Sequence, residues 1–250
     1  MANKVTALLD GDEYLFKATS AVEKEIQWDD QNHVLYANRN DAWDNFQRLV
    51  ARAVDETNAA DTVLCFSGER PYFREVLFPD YKGGRPTRKP LCYGALRALC
   101  AEHYTVREIA ALEADDVMGI LATKPGKATY VICSQDKDMQ TIPCSLFRGF
   151  NKEVMLLDET EADRFWLLQT LMGDATDHYP GCPGYGEKTA ARWLASDTGP
   201  GLPWSWDRVV GAYEKAKLTE EDALLQARLA RILRWSDWDS KKKEPILWTP

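Results

Sequence analysis

Three five-residue apolar runs, VTALL (residues 5–9), TVLCF (62–66) and TYVIC (129–133), constrain this chain more than any other feature. Each is short and rich in β-formers, the pattern of a strand buried on both faces of a parallel sheet. Between them, residues 41–58 place Trp43, Phe46, Leu49, Val50, Ala53 and Val54 on one helical face, with Asp41 as the expected N-cap. Residues 90–103 and 114–123 also read as helices. Strands alternating with helices predict an α/β fold with a mostly parallel central sheet flanked by helices.

Beyond about residue 158 the pattern changes to helices with glycine-rich joints. Thr160-x-x-Asp163 precedes FWLLQTLM, and Thr219-x-x-Asp222 precedes ALLQARLARIL; both read as capping boxes. Residues 196–206, with GPGLP and two tryptophans, read as a loop, and Lys241, Lys242 and Lys243 as a solvated charge run. The expected organisation is an α/β core over residues 1–158, with a basic region at about 69–105, and a helical region over 159–250.

A chain of 250 residues has room for one large domain or two small ones, and 45% apolar with 28% charged residues excludes a disordered or collagen-like chain. No apolar run approaches the ~18 residues of a membrane span. The start MANKVTALLDGD lacks the form of a signal peptide. Six cysteines follow no zinc spacing and are too sparse for a disulfide scaffold, so buried thiols are expected. These features predict a soluble intracellular protein with no membrane partner. The net charge of −8 by itself opposes binding to nucleic acid. Its distribution does not. Between residues 81 and 101 lie Lys82, Arg85, Arg88, Lys89 and Arg97, and no carboxylate.

The acids fall in four groups. VTALL runs into Asp10 and Asp12, and TYVIC runs through Ser134 and Gln135 into Asp136 and Asp138; Glu113-Ala114-Asp115-Asp116 opens a helix, and Gly173-Asp174-Ala175-Thr176-Asp177 follows one. Each alone has a structural reading, as a turn or as first-turn acids favoured by the helix dipole. Ligands of open α/β sheets bind beyond the carboxyl ends of the strands, so acids placed there converge. Converged carboxylates repel, and hard divalent cations such as Mg²⁺ or Mn²⁺ relieve the repulsion. Removing Asp10, Glu113, Asp115, Asp116, Asp136, Asp138, Asp174 and Asp177 from the 39 acidic residues leaves 31, equal to the 31 basic ones. The excess negative charge is the size of the proposed cation site.

The segment from Gly181 to Ala190 (GCPGYGEKTA) imitates a nucleotide phosphate loop, but Glu187 separates glycine from lysine and a helix pattern precedes it. A turn that lets a phosphate approach the backbone at a helix N-terminus fits better, and such a hairpin of helices could grip a nucleic-acid backbone without reading bases.

Together these motifs resemble the 5′-nuclease family: flap endonucleases, the 5′-nuclease domains of bacterial DNA polymerase I, and phage 5′→3′ exonucleases. The matching segments are Asp10-Gly11, Phe73-Arg74, Tyr81-Lys82-Gly83-Gly84-Arg85, Glu113-Ala114-Asp115-Asp116, Asp136-Lys137-Asp138, and Gly173-Asp174-x-x-Asp177 running into Pro183-Gly184-x-Gly186-Glu187-Lys188-Thr189. The tail ARILR, ending in ILWTP, further resembles the gene-six exonucleases of T-odd phages. The resemblance implies a PIN-like nuclease core with a helical arch and a C-terminal helix–three-turn–helix region. It implies two Mg²⁺ or Mn²⁺ clusters, the first among Asp10, Glu113, Asp115 and Asp116, the second toward Asp136, Asp138, Asp174 and Asp177. Lys82 and Arg85 would act on the scissile phosphate, Tyr81 would stack near the terminal base, and Lys17 would assist. Arg88 and Lys89 of the basic strip, with Gly184, Gly186, Lys188 and Thr189 of the glycine hairpin, would hold DNA, with K⁺ as a further ligand of the hairpin.

The implied activity is metal-dependent hydrolysis of DNA, or of RNA primers in RNA–DNA hybrids, in the cytoplasm of a phage-infected bacterium. One departure stands out. The family's second strand ends in Phe-Asp, whereas here the sequence is Phe66-Ser67-Gly68-Glu69; either Glu69 reaches the site or one carboxylate is missing. Two competing readings remain, a haloacid-dehalogenase-type phosphatase built on Asp10-x-Asp12, and a catalytically dead DNA-binding module of the same fold.

Overall fold

The computed structural model describes residues 4–29, 31–84, 88–196 and 204–250. Its centre is a six-stranded sheet. The three apolar runs form the middle of it, as strands β1 (Val5–Asp10), β4 (Asp61–Ser67) and β6 (Thr129–Cys133). β1 pairs in parallel with β4 on one side and β6 on the other. β5 (Thr105–Ile109) extends the sheet beyond β4, and β7 (Ser145–Phe147) extends it beyond β6, both in parallel; the short β8 (Met155–Leu156) closes the far edge antiparallel. Side-chain alternation splits the central strands between two cores. Ala7, Leu9, Leu64, Phe66, Val131 and Cys133 face α1 (Gly11–Ser20), α2 (Arg39–Thr57) and α4 (Tyr93–His103), while Leu8, Cys65 and Ile132 face α5 (Ala114–Ala122). Coverage on both faces explains why these runs lack polar alternation. An antiparallel hairpin, β2 (Lys24–Gln27) and β3 (His33–Tyr36), projects between α1 and α2 and is exposed along its length.

A third core gathers α6 (Glu159–Met172), α7 (Glu187–Ala195), α8 (Trp206–Lys215) and α9 (Glu220–Ala230), together with Tyr81. The chain then returns to the sheet, where Ile232 and Leu233 complete the core beneath α5 before a small hairpin of β9 (Trp238–Asp239) and β10 (Glu244–Pro245). All six cysteines are free, and four are fully buried. Among the described residues no helix is long and apolar enough to cross a membrane.

Several expected boundaries move, each because a better hydrogen-bond partner lies nearby. Asn38, not Asp41, caps α2, accepting from the N–H groups of Asn40 and Asp41. Asp158 and Glu161 form the capping box of α6, two residues before Thr160 and Asp163, and Asp163 instead meets Arg234. Thr219 and Asp222 cap α9 as expected. That helix stops at Ala230 although the apolar pattern continues through ARIL. The Arg231 carbonyl accepts from Arg74 and the Leu233 N–H donates to Asp116, so the chain is drawn out of the helix. The expected loop at 196–206 yields to α8 at Trp206, and its residues 197–203 lie outside the described residues.

Candidate active site

Asp10 is the last residue of β1 and the N-cap of α1; its Oδ1 accepts from the Glu13 N–H at 3.0 Å and its Oδ2 lies 3.4 Å from the Ser134 hydroxyl oxygen. Asp12 and Glu13 follow in the first turn of α1. β6 delivers Ser134 and then Asp136, which caps a 3₁₀ turn at Lys137–Thr141. Glu113 and Asp115 stand at the start of α5. These elements meet at the carboxyl ends of β1, β4 and β6, where the connections leave β1 to opposite sides, and such switch points open crevices. The crevice here has a volume of about 660 Å³. Asp10, Asp12, Glu13, Glu113, Asp115 and Asp136 line it, facing Arg70, Lys82, Lys89 and Arg97.

A second acidic group stands at the C-terminal end of α6. Gly173 turns the chain there with φ +68°, and a Cβ would come within 2.4 Å of the Pro180 carbonyl carbon, so the turn requires glycine. Asp174 accepts from Lys137 Nζ at 2.9 Å and from the Thr176 N–H at 2.7 Å. Asp138 accepts from Gln169 Nε2 at 2.5 Å. Tyr81 and Lys82 join the two groups. The Tyr81 hydroxyl lies 3.1 Å from a Glu113 oxygen and 3.0 Å from an Asp177 oxygen, which share its one proton. The Lys82 ammonium pairs with Glu113 and stands 3.5 Å from Asp177. Lys82 has φ +55°, a sparsely populated conformation for a side chain of this kind, and its N–H is tied to the Asp177 carbonyl at 3.0 Å.

Burial, then Glu13, Asp12 and Asp136, push the Asp10 carboxyl up to about 7. Burial with Asp10 and Asp136 pushes Asp115 well above the usual carboxylate range, and burial with Asp136 raises Asp138 to about 7. Burial alone would also raise Glu113, but the Lys82 ammonium and the Arg74 guanidinium outweigh it and hold that carboxyl low. A site of this kind gains from added positive charge. The carboxylates present it with oxygen donors, and the crevice lining contains no histidine or cysteine, a donor set suited to Mg²⁺ or Mn²⁺. Among the described residues no three such side chains already close on one point, so a cation would have to draw them together.

The family model for the "5'-3' exonuclease, N-terminal resolvase-like domain" matches residues 5–165. The chain belongs to the 5′-3′ exonuclease family. It is 31% identical to the exodeoxyribonuclease of Enterobacteria phage T3, over 99% of this chain and 94% of that one, and 31% identical to the exonuclease of Escherichia phage T7 with the same coverage. Its fold is similar to that of the bacteriophage T5 D15 flap endonuclease, solved as a pseudo-enzyme–product complex with DNA and metal ions, with TM-score 0.63, 17% identity, and 91% of this chain and 89% of that chain covered.

The structure of this 5′-3′ exonuclease, a nuclease with an α/β fold, corrects two sequence assignments. Asp116 does not face the crevice. It is fully buried, and its oxygens accept from the Arg74 guanidinium at 2.7 and 2.8 Å and from the Leu233 N–H at 3.0 Å. Tyr81 is 3% exposed with its hydroxyl engaged by two carboxylates, so its ring has no face to offer a base. Glu69 is exposed and absent from the crevice walls, so it does not replace the acid missing at Ser67.

Lys89 lines the crevice, its ammonium 4.7 Å from the Tyr93 ring centroid, whereas Arg88 is paired with Glu23 and Lys17 with Glu13. Arg85 lies outside the described residues. Gly184, Gly186, Lys188 and Thr189 are all exposed, and the N-terminus of α7 carries no side-chain cap. Glu13 and Arg70 have no role in the sequence reading, and Arg97 enters it only as a cation of the basic strip. Glu13 accepts from the Ser134 hydroxyl at 2.8 Å and from the Gln135 N–H at 2.9 Å, and the run of acids after β1 was its signal. The phosphatase reading fails because Asp174 and Asp177 follow helix α6, where that fold would need a strand.

Proposed function

We propose that this 5′-3′ exonuclease removes nucleotides from the 5′ ends of DNA, at duplex ends or flaps, using Mg²⁺ or Mn²⁺ held by two groups of acids. The observation that carries this reading is the convergence of Asp10, Asp12, Glu13, Glu113, Asp115 and Asp136 on one crevice beside Lys82, where Asp136 helps to raise Asp10 and Asp115. The DNA and metal ions in the complex of the T5 D15 flap endonuclease support it. Asp10, Glu113, Asp115 and Asp136 would hold one cation, and Asp138, Asp174 and Asp177 would lean toward a second. Bound there, divalent cations supply Lewis acidity, acidifying an attacking water and neutralising charge on the phosphate and the leaving oxygen.

The chain's own residues do the rest. Lys82 adds a positive charge where charge develops on the phosphate, with Arg85 as its partner, and such a preorganised donor is worth ~3–4 kcal/mol. Asp116 and Arg74 hold Glu113 in place from behind. Lys17, Arg88 and Lys89 contact the DNA backbone near the crevice. The turn at Gly184, with φ +84° and open space around it, brings a phosphate close to the α7 amides, assisted by Gly186, Lys188 and Thr189, and K⁺ fits as a further ligand of that turn. RNA–DNA hybrids are a second substrate of the same crevice, in phage replication inside the infected bacterial cytoplasm.

Digestion of a duplex labelled at either end tests this reading. Mononucleotides or short oligomers should be released first from the 5′ label, and only with Mg²⁺ or Mn²⁺ present. Release from the 3′ label first, or cleavage persisting in excess chelator, would overturn it.

A further inference from the structure

The acid run after β1 contains two carboxylates that the preceding roles do not use, and of these Glu13 is already held by Lys17, Ser134 and the Gln135 N–H. Asp12 lines the crevice beside Asp10, Asp115 and Asp136. Its Oδ2 accepts from the Ser67 N–H at 2.9 Å and its Oδ1 from the Tyr93 hydroxyl. Both donors are neutral, so they orient the carboxylate without cancelling its charge. An ionised carboxyl has about four lone-pair positions, and these bonds occupy two of them. Tyr93 is a secure donor, because burial and the adjacent Asp12 push its hydroxyl pKa upward.

The end of β4 explains why an acid is needed here. Ser67 reaches the crevice with a hydroxyl that accepts from the Ala114 N–H at 3.1 Å, and so brings no charge. At Gly68 a Cβ would lie 2.0 Å from the Ile109 carbonyl oxygen, so no acid can follow directly. Glu69 is already exposed. β4 therefore delivers no carboxylate to the crevice, and the acid nearest its tip is Asp12, which comes from α1.

The geometry points to Asp12 as a further cation-binding carboxylate of the crevice, supplied by the first turn of α1 at the tip of β4 and aimed by Ser67 and Tyr93. This inference rests on the proposed cation site and deepens it. It also ties α4, which carries Tyr93, to the floor of the crevice, so that an element of the basic strip helps set the geometry of the acids.

Mn²⁺ titration of the DNA-free protein, read by calorimetry and by the electron paramagnetic resonance of unbound Mn²⁺, tests the assignment without using activity. Asp12→Asn, which keeps the shape and an acceptor for the Ser67 N–H, should weaken Mn²⁺ binding by more than about tenfold, since even residues supporting a ligand cost 10–100-fold. Tyr93→Phe, which keeps the carboxylate and loses only its orientation, should weaken it less. The double variant Asp12→Asn, Ser67→Asp restores a charge from the β4 side and should recover most of the affinity. Unchanged affinity in Asp12→Asn would overturn the inference. So would an equal loss in Tyr93→Phe, or no recovery in the double variant, because either would place the effect in the packing of α1 and not in charge. A wild-type protein that binds no Mn²⁺ would instead bring down the cation reading of the whole crevice.

Discussion

Asp10 and Glu113 are similarly buried carboxylates of one crevice, 8% and 5% exposed, yet their acidities move in opposite directions. Asp10 is surrounded by Glu13, Asp12 and Asp136 and rises to about 7. Glu113 touches Lys82 and Arg74 and falls. Asp174, likewise buried, is also held low, because Lys137 and two backbone N–H groups outweigh its burial. Burial alone does not decide whether an acid in this molecule is charged. The sign of its neighbours does. Glu113 is balanced by the protein's own cations, and Asp10 and Asp115 are left to be balanced from outside.

The largest expected effect falls on the unbalanced acids. Asp115→Asn should lower cleavage by more than about a hundredfold, beyond the loss expected for a supporting residue. The same change removes a repelling charge, so the protein in chelator at pH 8 should melt at a higher temperature than wild type. Activity falling together with stability would contradict the comparison.

Arg74→Ala attacks the balanced acid, Glu113. The guanidinium is 2% exposed and bridges Glu113, Asp116 and the carbonyls of Leu229 and Arg231. Removing it leaves buried charge without a partner, at a cost of about 3–5 kcal/mol in urea unfolding. A loss below about 1 kcal/mol would show that the buried network adds little.

pH sharpens the contrast. A carboxyl raised from 3.8 to about 7, as at Asp10 and Asp138, holds its proton longer in the folded than in the unfolded chain. Stability in chelator should therefore fall as pH rises from about 4 to about 7. Glu113 and Asp174 act in the opposite sense, contributing stability that is lost only as pH drops below the ordinary carboxylate range. Melting in chelator should thus occur at a lower temperature at pH 8 than at pH 5.5, and Mg²⁺ should stabilise more at pH 8 than at pH 5.5. A Mg²⁺ effect independent of pH would mean that the raised acids are not the ones a cation meets.

The smallest effect lies away from the crevice. Lys188→Ala, at the exposed start of α7, should leave the crevice acids unaffected and reduce the logarithmic salt slope of duplex binding by about 0.9. Fluorescence anisotropy over a salt series measures this, and an unchanged slope would remove the hairpin from the DNA path.

The three central strands were legible because a strand covered on both faces writes a continuous apolar run, and their parallel pairing was implied by the helices between them, whereas their order in the sheet was not. The convergence of Asp10, Glu113, Asp115 and Asp136 was legible for a related reason, since residues just beyond parallel strand ends share one edge of the sheet. Asp115 and Asp116 could not be told apart in this way. They are adjacent on one helix, about 100° apart around its axis, so only one can face the crevice while the other faces the core. Which one does so depends on Arg74 and Leu233, which are distant in sequence from α5. Tyr81 was misjudged likewise, because its burial comes from α6–α9 packing around it.

Local pattern by itself determined that the three central strands and the helices between them form, though not every helix end, that acids stand at the strand ends, and that a basic strip and a glycine hairpin accompany them. The tertiary structure alone decided which acids are charged, which face the crevice, and that Asp12 meets Ser67 and Tyr93. The physical reason is range. Periodicity and capping act within a few residues, whereas the charge state of a buried carboxyl is set by whichever groups the fold brings to within a few ångströms of it.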